Sequence, residues 1–205
     1  MDHDYLKYRP LQPGDVVLVL GAYWGDFIRE YKDEIINKGV YVINVEPHQY
    51  MAIECSKWIH DNMPSNAVCL NLAVFDRCGL NVFSNKDVEG TSSISSVNNQ
   101  FNRPVESTNA VLTVTLDYLL SMIPVNCVFA DIEGAELEVF ESSKLIHDVD
   151  YFAIAAYHVR PETGEKTFFR LTKYFKDVKL DEAGGWEMIY GGKHGQNSVD
   201  SGRPG

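Results

Sequence analysis

"VLVLGAYWGDF", residues 17–27, sets how the chain begins to fold. Val17, Leu18, Val19 and Leu20 form a continuous apolar run, which reads as a strand buried on both faces. Gly21 and Gly25 then frame a turn, and Asp26-Phe27-Ile28 begins helical spacing. A strand, a glycine turn and a helix N-terminus allow backbone to approach a ligand closely. The stretch is therefore either the floor of a binding pocket or a tight bend in a core. Two glycines do not choose between these.

The same rhythm continues downstream. Apolar, β-rich runs fall at 16–20, 40–45, 67–74, 111–115, 126–131 and 151–157, and helical spacing at 26–37, 48–61, 135–146 and 162–175. Alternation of this kind predicts an α/β fold, a parallel sheet with helices on both faces. Residues 75–110 interrupt it with a Ser-, Asn- and Gly-rich stretch, of which about 15 residues carry no obvious element, a feature usually tied to function. Two runs around Gly184-Gly185 predict an antiparallel hairpin over 177–190. Residues 1–192 read as one domain and 193–205 as a disordered tail. The opening ten residues look too short to cover the sheet, so that face is left to a partner or to a further domain of a longer polypeptide.

With 205 residues and 45% hydrophobic content, the chain can bury a sizeable core. The net charge of −11 and the lack of a Lys/Arg cluster argue against nucleic acid. No apolar run approaches membrane-spanning length, and the first ten residues lack a signal-peptide core. Four scattered cysteines form no CxxC pair; Cys69 and Cys127 sit in apolar runs as small core residues. A reducing, cytoplasmic compartment fits these features.

Ligands of such sheets bind beyond the carboxyl ends of the strands. Glu46, 21 positions after Gly25, stands where a dinucleotide fold places its ribose-binding acid, or else it is an acid favoured by the dipole of the next helix. Asp131 and Glu133 end another strand, sharing one face if the strand persists, and Gly134 releases the chain into a helix in which Glu136 serves only the dipole. His158 closes the following strand, and Asp117 reads as a helix-start residue. Tyr23, Trp24, Tyr157 and Trp186 offer aromatic faces to a sugar, or simply fill the core.

"VVLVLGAYWGDF", "NVEP", "NLAVFD", "GTSSI", "TVTLDYLL" and "DIEGAELEVFESS", in this order, resemble the FkbM-type family of S-adenosylmethionine-dependent methyltransferases over most of residues 11–160. The resemblance implies the class I methyltransferase (Rossmann-like) fold, a seven-stranded, mostly parallel sheet with an antiparallel C-terminal hairpin. It implies S-adenosylmethionine as cofactor and O-methylation of a sugar, glycan or similar hydroxyl-bearing acceptor. On this likeness Gly21, Ala22 and Gly25 form the cofactor turn, Glu46-Pro47 the ribose-binding segment and Ala73 the wall near the adenine. Asp131, Glu133 and Gly134 lie nearest the transferred methyl, His158 matches a histidine after the next strand, and Ser92 and Ser93 match a loop at the pocket mouth. Val19, Tyr23 and Phe129 depart from it, standing where the family commonly has Asp, Asn and Lys.

A sugar hydroxyl is a poor nucleophile at neutral pH, so Asp131 and His158 become candidate general bases, with Glu133 orienting one of them or the cofactor's amino group. A divalent cation such as Mg2+ on Asp131, Glu133 and Asp117 ranks behind that metal-free route. Two other classes compete. One is a catalytically degenerate fold that binds a nucleoside or a protein partner, to which Val19 points. The other is a dinucleotide oxidoreductase, disfavoured because the turn lacks G-x-G-x-x-G.

Overall fold

Residues 17–20 alternate between two hydrophobic clusters, and that period of two organises the molecule. The computed structural model describes residues 4–85, 93–94, 107–157, 166–175, 178–181 and 187–193. The first strand is β1 (Val16–Leu20), followed by β2 (Tyr41–Val45), β3 (Ala67–Leu70) and β4 (Ala73–Val74). Then come β5 (Gly79–Asn85), β6 (Ser93–Ile94), β7 (Ser107–Val114), β8 (Cys127–Ala130), β9 (Tyr151–Ala155), β10 (Lys179–Asp181) and β11 (Met188–Gly191).

The main sheet has seven strands in the order β10-β11-β9-β8-β1-β2-β3. Neighbours from β9 to β3 pair in parallel, while β11 is antiparallel to both β9 and β10. Strand order reverses between β1 and β8, so the carboxyl ends of β1, β2 and β8 converge where such sheets bind ligands. The α/β class, the parallel sheet and the antiparallel hairpin agree with the sequence.

Six helices are described: α1 (Asp26–Glu30), α2 (Lys32–Lys38), α3 (Gln49–Asn62), α4 (Leu116–Met122), α5 (Glu136–Ser142) and α6 (Thr167–Tyr174). Leu18, Leu20, Ile43 and Val45 face Leu116, Leu119, Leu137, Phe140, Phe168 and Leu171 of α4, α5 and α6. Val17, Val19 and Val42 face Phe27, Ile28, Ile35, Cys55 and Ile59 of α1, α2 and α3. Both faces are thus covered, which explains strands that are apolar throughout.

Several expectations are corrected. The run 67–74 is two strands in different sheets: Leu72 N–H turns back onto the Leu70 carbonyl (3.1 Å), and the Asn71 side chain donates to the Glu46 and Pro47 carbonyls (2.9 and 3.1 Å). Residues 111–115 leave the main sheet; β7 instead belongs to a second, four-stranded sheet, β4-β7-β5-β6, which takes β5, β6 and the start of β7 from the interrupting stretch. Helical spacing over 26–37 is broken at Tyr31, whose φ of −102° and ψ of 18° cap both α1 and α2. The helix predicted over 135–146 ends at Ser142, and a 3-10 turn follows at Leu145–Asp148.

The opening residues also behave differently from expectation. Tyr5 and Leu11 are buried in the cluster on the α1–α3 face, with Tyr5 stacked on Phe129 (centroids 5.3 Å apart). Arg9 grips Asp15 through two hydrogen bonds of 2.7 and 2.9 Å and reaches Cys127 Sγ at 2.9 Å. The segment from residue 4 to 11 covers the sheet itself. Of the cysteines, Cys127 is buried as expected, and Cys69 is only half-buried.

Candidate active site

At the end of β1, the backbone leaves room for glycine alone. Gly21 has φ +78°, and a Cβ there would meet the Asp131 carbonyl oxygen at 1.8 Å. That closeness fastens β1 to β8, since Asp131 N–H donates to the Leu20 carbonyl at 3.0 Å. Gly21 and Ala22 N–H groups both donate to the Val45 carbonyl (3.0 and 3.1 Å), which ties the turn to β2. Gly25, φ +82°, opens α1, and a Cβ on it would lie 2.9 Å from Cys55 Sγ.

Between the glycines, Tyr23 also adopts a left-handed backbone, φ +54°. Asn tolerates this region better than Tyr does. What holds Tyr23 there is Glu46: Tyr23 N–H donates to Glu46 Oε2 at 2.8 Å, and His48 N–H to Oε1 at 2.8 Å. Glu46 is 5% exposed, and burial pushes its carboxyl up to about 7 against those two bonds. A carboxylate has about four lone-pair sites, so each oxygen can still accept from a ligand hydroxyl. Pro47 follows, its carbonyl taken by Asn71.

The third segment is "DIEGAE", residues 131–136. The strand stops at Ala130, so Asp131 and Glu133 do not share a strand face as predicted. Instead Glu133 (φ +56°) and Gly134 (φ +99°) fold a turn. Glu136, expected to do no more than offset the helix dipole, is fully buried and accepts from Gly134 N–H (3.1 Å) and Ile132 N–H (3.3 Å). It holds the turn from inside. Tyr157 O–H reaches Asp131 Oδ1 at 3.3 Å and Glu133 Oε1 at 3.4 Å. Burial, then the charges of Asp131 and Glu133, raise the Tyr157 phenol far above its ordinary range. Tyr5 is raised as well, by burial and then by Asp131 and Glu136.

Asp117 lies elsewhere in function. It accepts from Ser143 Oγ (2.6 Å), Lys144 N–H (3.0 Å) and Leu145 N–H (3.0 Å), and so caps the 3-10 turn after α5. The three-acid metal arrangement with Asp131 and Glu133 does not form, and the described residues contain no group of three or more His, Cys, Asp or Glu suited to a metal. Burial pushes the Asp117 carboxyl up, but the bonds from Ser143, Leu145 and Lys144 outweigh it and leave it below the usual range. Asp117→Ala should therefore cost about 1–2 kcal/mol at neutral pH. A group depressed in the fold stabilises above its unfolded pKa and loses that effect as pH falls through the folded one, so the penalty should shrink in acid. Thermal melts of both proteins from pH 7 down to pH 3 check this.

Ala73 is buried with Phe75, Phe83, Val111 and Ala135, where the second sheet meets the "DIEGAE" turn. Ser93 lies in β6; Ser92, His158 and Trp186 lie outside the described residues. Trp24 packs edge-on to Tyr23 and Tyr50 (5.6 and 5.5 Å). Two of the three departures from the resemblance, Val19 and Phe129, are register partners on β1 and β8. Both side chains belong to the apolar cluster on the α1–α3 face, with Phe129 stacked on Tyr5.

No family model matches the chain, and no curated protein does so at a significant level. Solved structures do. The methyltransferase FkbM from Methylobacillus flagellatus superposes with a TM-score of 0.58 at 16% identity, over 88% of this chain and 44% of its own. This is a methyltransferase fold. Fibrillarin from Aeropyrum pernix, crystallised with natively bound S-adenosyl-L-methionine, gives 0.50 at 16% identity over 90% of this chain and 69% of its own. The chain thus spans less than half the length of the FkbM structure it resembles. Sequence reasoning missed the Tyr157 hydroxyl, Glu136 and Tyr5 within this methyltransferase fold. Only Tyr157, at a strand end beside His158, carried a readable signal.

Proposed function

We propose that the chain is an FkbM-type, S-adenosylmethionine-dependent O-methyltransferase acting on a hydroxyl of a sugar, glycan or similar acceptor. The observation that supports it most is Glu46. A buried carboxylate, anchored by two backbone N–H groups beside the Gly21 turn and raised to about 7, suits a ribose diol whose hydroxyls would stabilise its charge. Gly21, Ala22, Gly25 and Pro47 complete that wall, and Ala73 borders the adenine end. When bound, S-adenosylmethionine supplies an electrophilic methyl on a sulfonium. Asp131 and Glu133 place negative charge near that cation.

Transfer needs the acceptor oxygen held in line with the methyl, and positioning supplies much of the rate. Asp131 takes the acceptor's proton, with His158 as the rival base and Glu133 orienting one of them or the cofactor's amino group. By the resemblance, Ser92 and Ser93 are assigned to the mouth of the pocket. The net charge of −11 favours neutral acceptors over nucleic acid, and no described helix is long and apolar enough to cross a membrane. The cytoplasm is the proposed location.

Titrating the protein with S-adenosylmethionine, S-adenosylhomocysteine and NAD by calorimetry tests the reading. Binding of the first two and not of NAD is expected; binding of none would leave a protein-interaction module, the second reading that Val19 favours. Labelled methyl transfer onto a panel of glycosides then identifies the acceptor. Activity should survive EDTA. A complete loss restored by Mg2+ or Mn2+ would turn the carboxylates from base into ligands.

A further inference from the structure

Tyr157 follows β9 by two residues, at the same end of the sheet as Asp131 and Glu133. Its ring packs at the margin of the cluster that contains Phe27, Phe129 and Tyr5. The hydroxyl lies 3.3 Å from one carboxylate and 3.4 Å from the other. A phenol has one proton to donate, so it is shared between two acids that repel each other. A core tyrosine needs one partner for its hydroxyl, and a backbone carbonyl or a water would serve. Two acids from one turn, with Glu133 held in a left-handed backbone, are a different arrangement.

We propose that Tyr157 is a positioning residue for methyl transfer, its hydroxyl bridging Asp131 and Glu133 and so fixing the Asp131 carboxylate toward the acceptor's proton. The role given to Asp131 rests on the methyltransferase reading; the bridge does not. Burial and the two neighbouring charges keep the phenol protonated, so it stays a donor throughout the working pH range. Among the described residues, Glu136, beneath the turn, and Tyr5, from the opening segment, are further titratable groups acting on this cluster.

Tyr157→Phe in the full chain keeps the ring and removes the bridge. At a fixed pH of about 8, the carboxyl 13C resonances of Asp131 and Glu133 should move while those of distant acids stay, because only a hydrogen bond to these two is lost. The melting temperature and the affinity for S-adenosylhomocysteine should be nearly unchanged. With an acceptor identified, kcat should fall about tenfold at constant KM for the cofactor, the effect of losing one charge-assisted hydrogen bond that acts on geometry. Carboxyl resonances that do not move overturn the bridge, and moved resonances with wild-type turnover overturn the positioning role. If wild-type protein fails to bind S-adenosylhomocysteine, the methyltransferase reading falls, and the resonances still decide whether the bridge exists.

Discussion

Asp131→Asn should reduce methyl transfer by roughly 10²–10⁴, the range for losing a general base. The substitution is nearly isosteric, so the backbone contacts of residue 131 with Leu20 and Gly21 survive it. The Tyr157 hydroxyl can still donate to the amide oxygen, and the fold should stay intact. What is lost is a carboxylate able to take the acceptor's proton. His158→Ala is the paired experiment. Only one residue can be the base, so the two losses should differ. The true base should leave the cofactor affinity nearly intact and remove the acidic limb of the pH–rate profile. Asp131→Asn should weaken binding too, because its charge also attracts the sulfonium, whereas His158→Ala should act on turnover alone. Single-turnover rates and calorimetry on both variants separate these. If both keep near-normal turnover on a verified acceptor, the strand-end residues are not the catalytic ones.

Glu46→Gln should weaken S-adenosylhomocysteine binding by about 1.5–3 kcal/mol, the scale for losing hydrogen bonds to a charged group. The Ala variant should do more. Both carboxylate oxygens accept backbone N–H bonds, so Glu46→Ala leaves the Tyr23 and His48 donors unpaired and lowers the melting temperature as well. The pH dependence gives a second readout. Free Glu46 holds its proton up to about pH 7, whereas an unfolded glutamate releases it near 4.5. Between those values the native state binds more protons than the unfolded one, so Glu46 makes stability fall as pH rises across that window. Ribose hydroxyls favour the charged form, so binding should release a proton and tighten as pH rises toward 7. Calorimetry in buffers of different ionisation enthalpy measures that proton. An affinity independent of Glu46, with only the melting temperature reduced, would assign the residue to the fold.

The parallel sheet was legible because its strands are apolar on both faces and bounded by glycines or caps, as at Leu20-Gly21. The terminal hairpin was legible from two runs around Gly184-Gly185. The second sheet was not. In β5 and β7 the outward positions Leu80 and Leu112 are 74% and 55% exposed, so the hydrophobic pattern there does not mark an inside and an outside. The break at Asn71 is likewise set by side-chain bonds to carbonyls that are distant in sequence, and no local propensity reports them. At the site, Glu46 and the glycine turn could be read from spacing. The Tyr157 bridge could not, because two carboxylates and a phenol meet only after β8 and β9 pair.

The opening segment has a consequence for synthesis. Lys7 pairs with Asp181 and the Tyr190 hydroxyl donates to the Asp4 carbonyl, partners separated by 174 and 186 positions. During synthesis, residues 4–11 are thus made long before the partners at Asp181 and Tyr190 that hold them. Until β10 and β11 have been translated, the Lys7–Asp181 and Tyr190–Asp4 contacts cannot form, although Tyr5 can already meet Phe129. Until then the emerging chain holds this segment by fewer contacts, and apolar groups left exposed at that stage invite misassociation or chaperone capture. Securing the opening segment is then a late step that joins the two ends of the described chain.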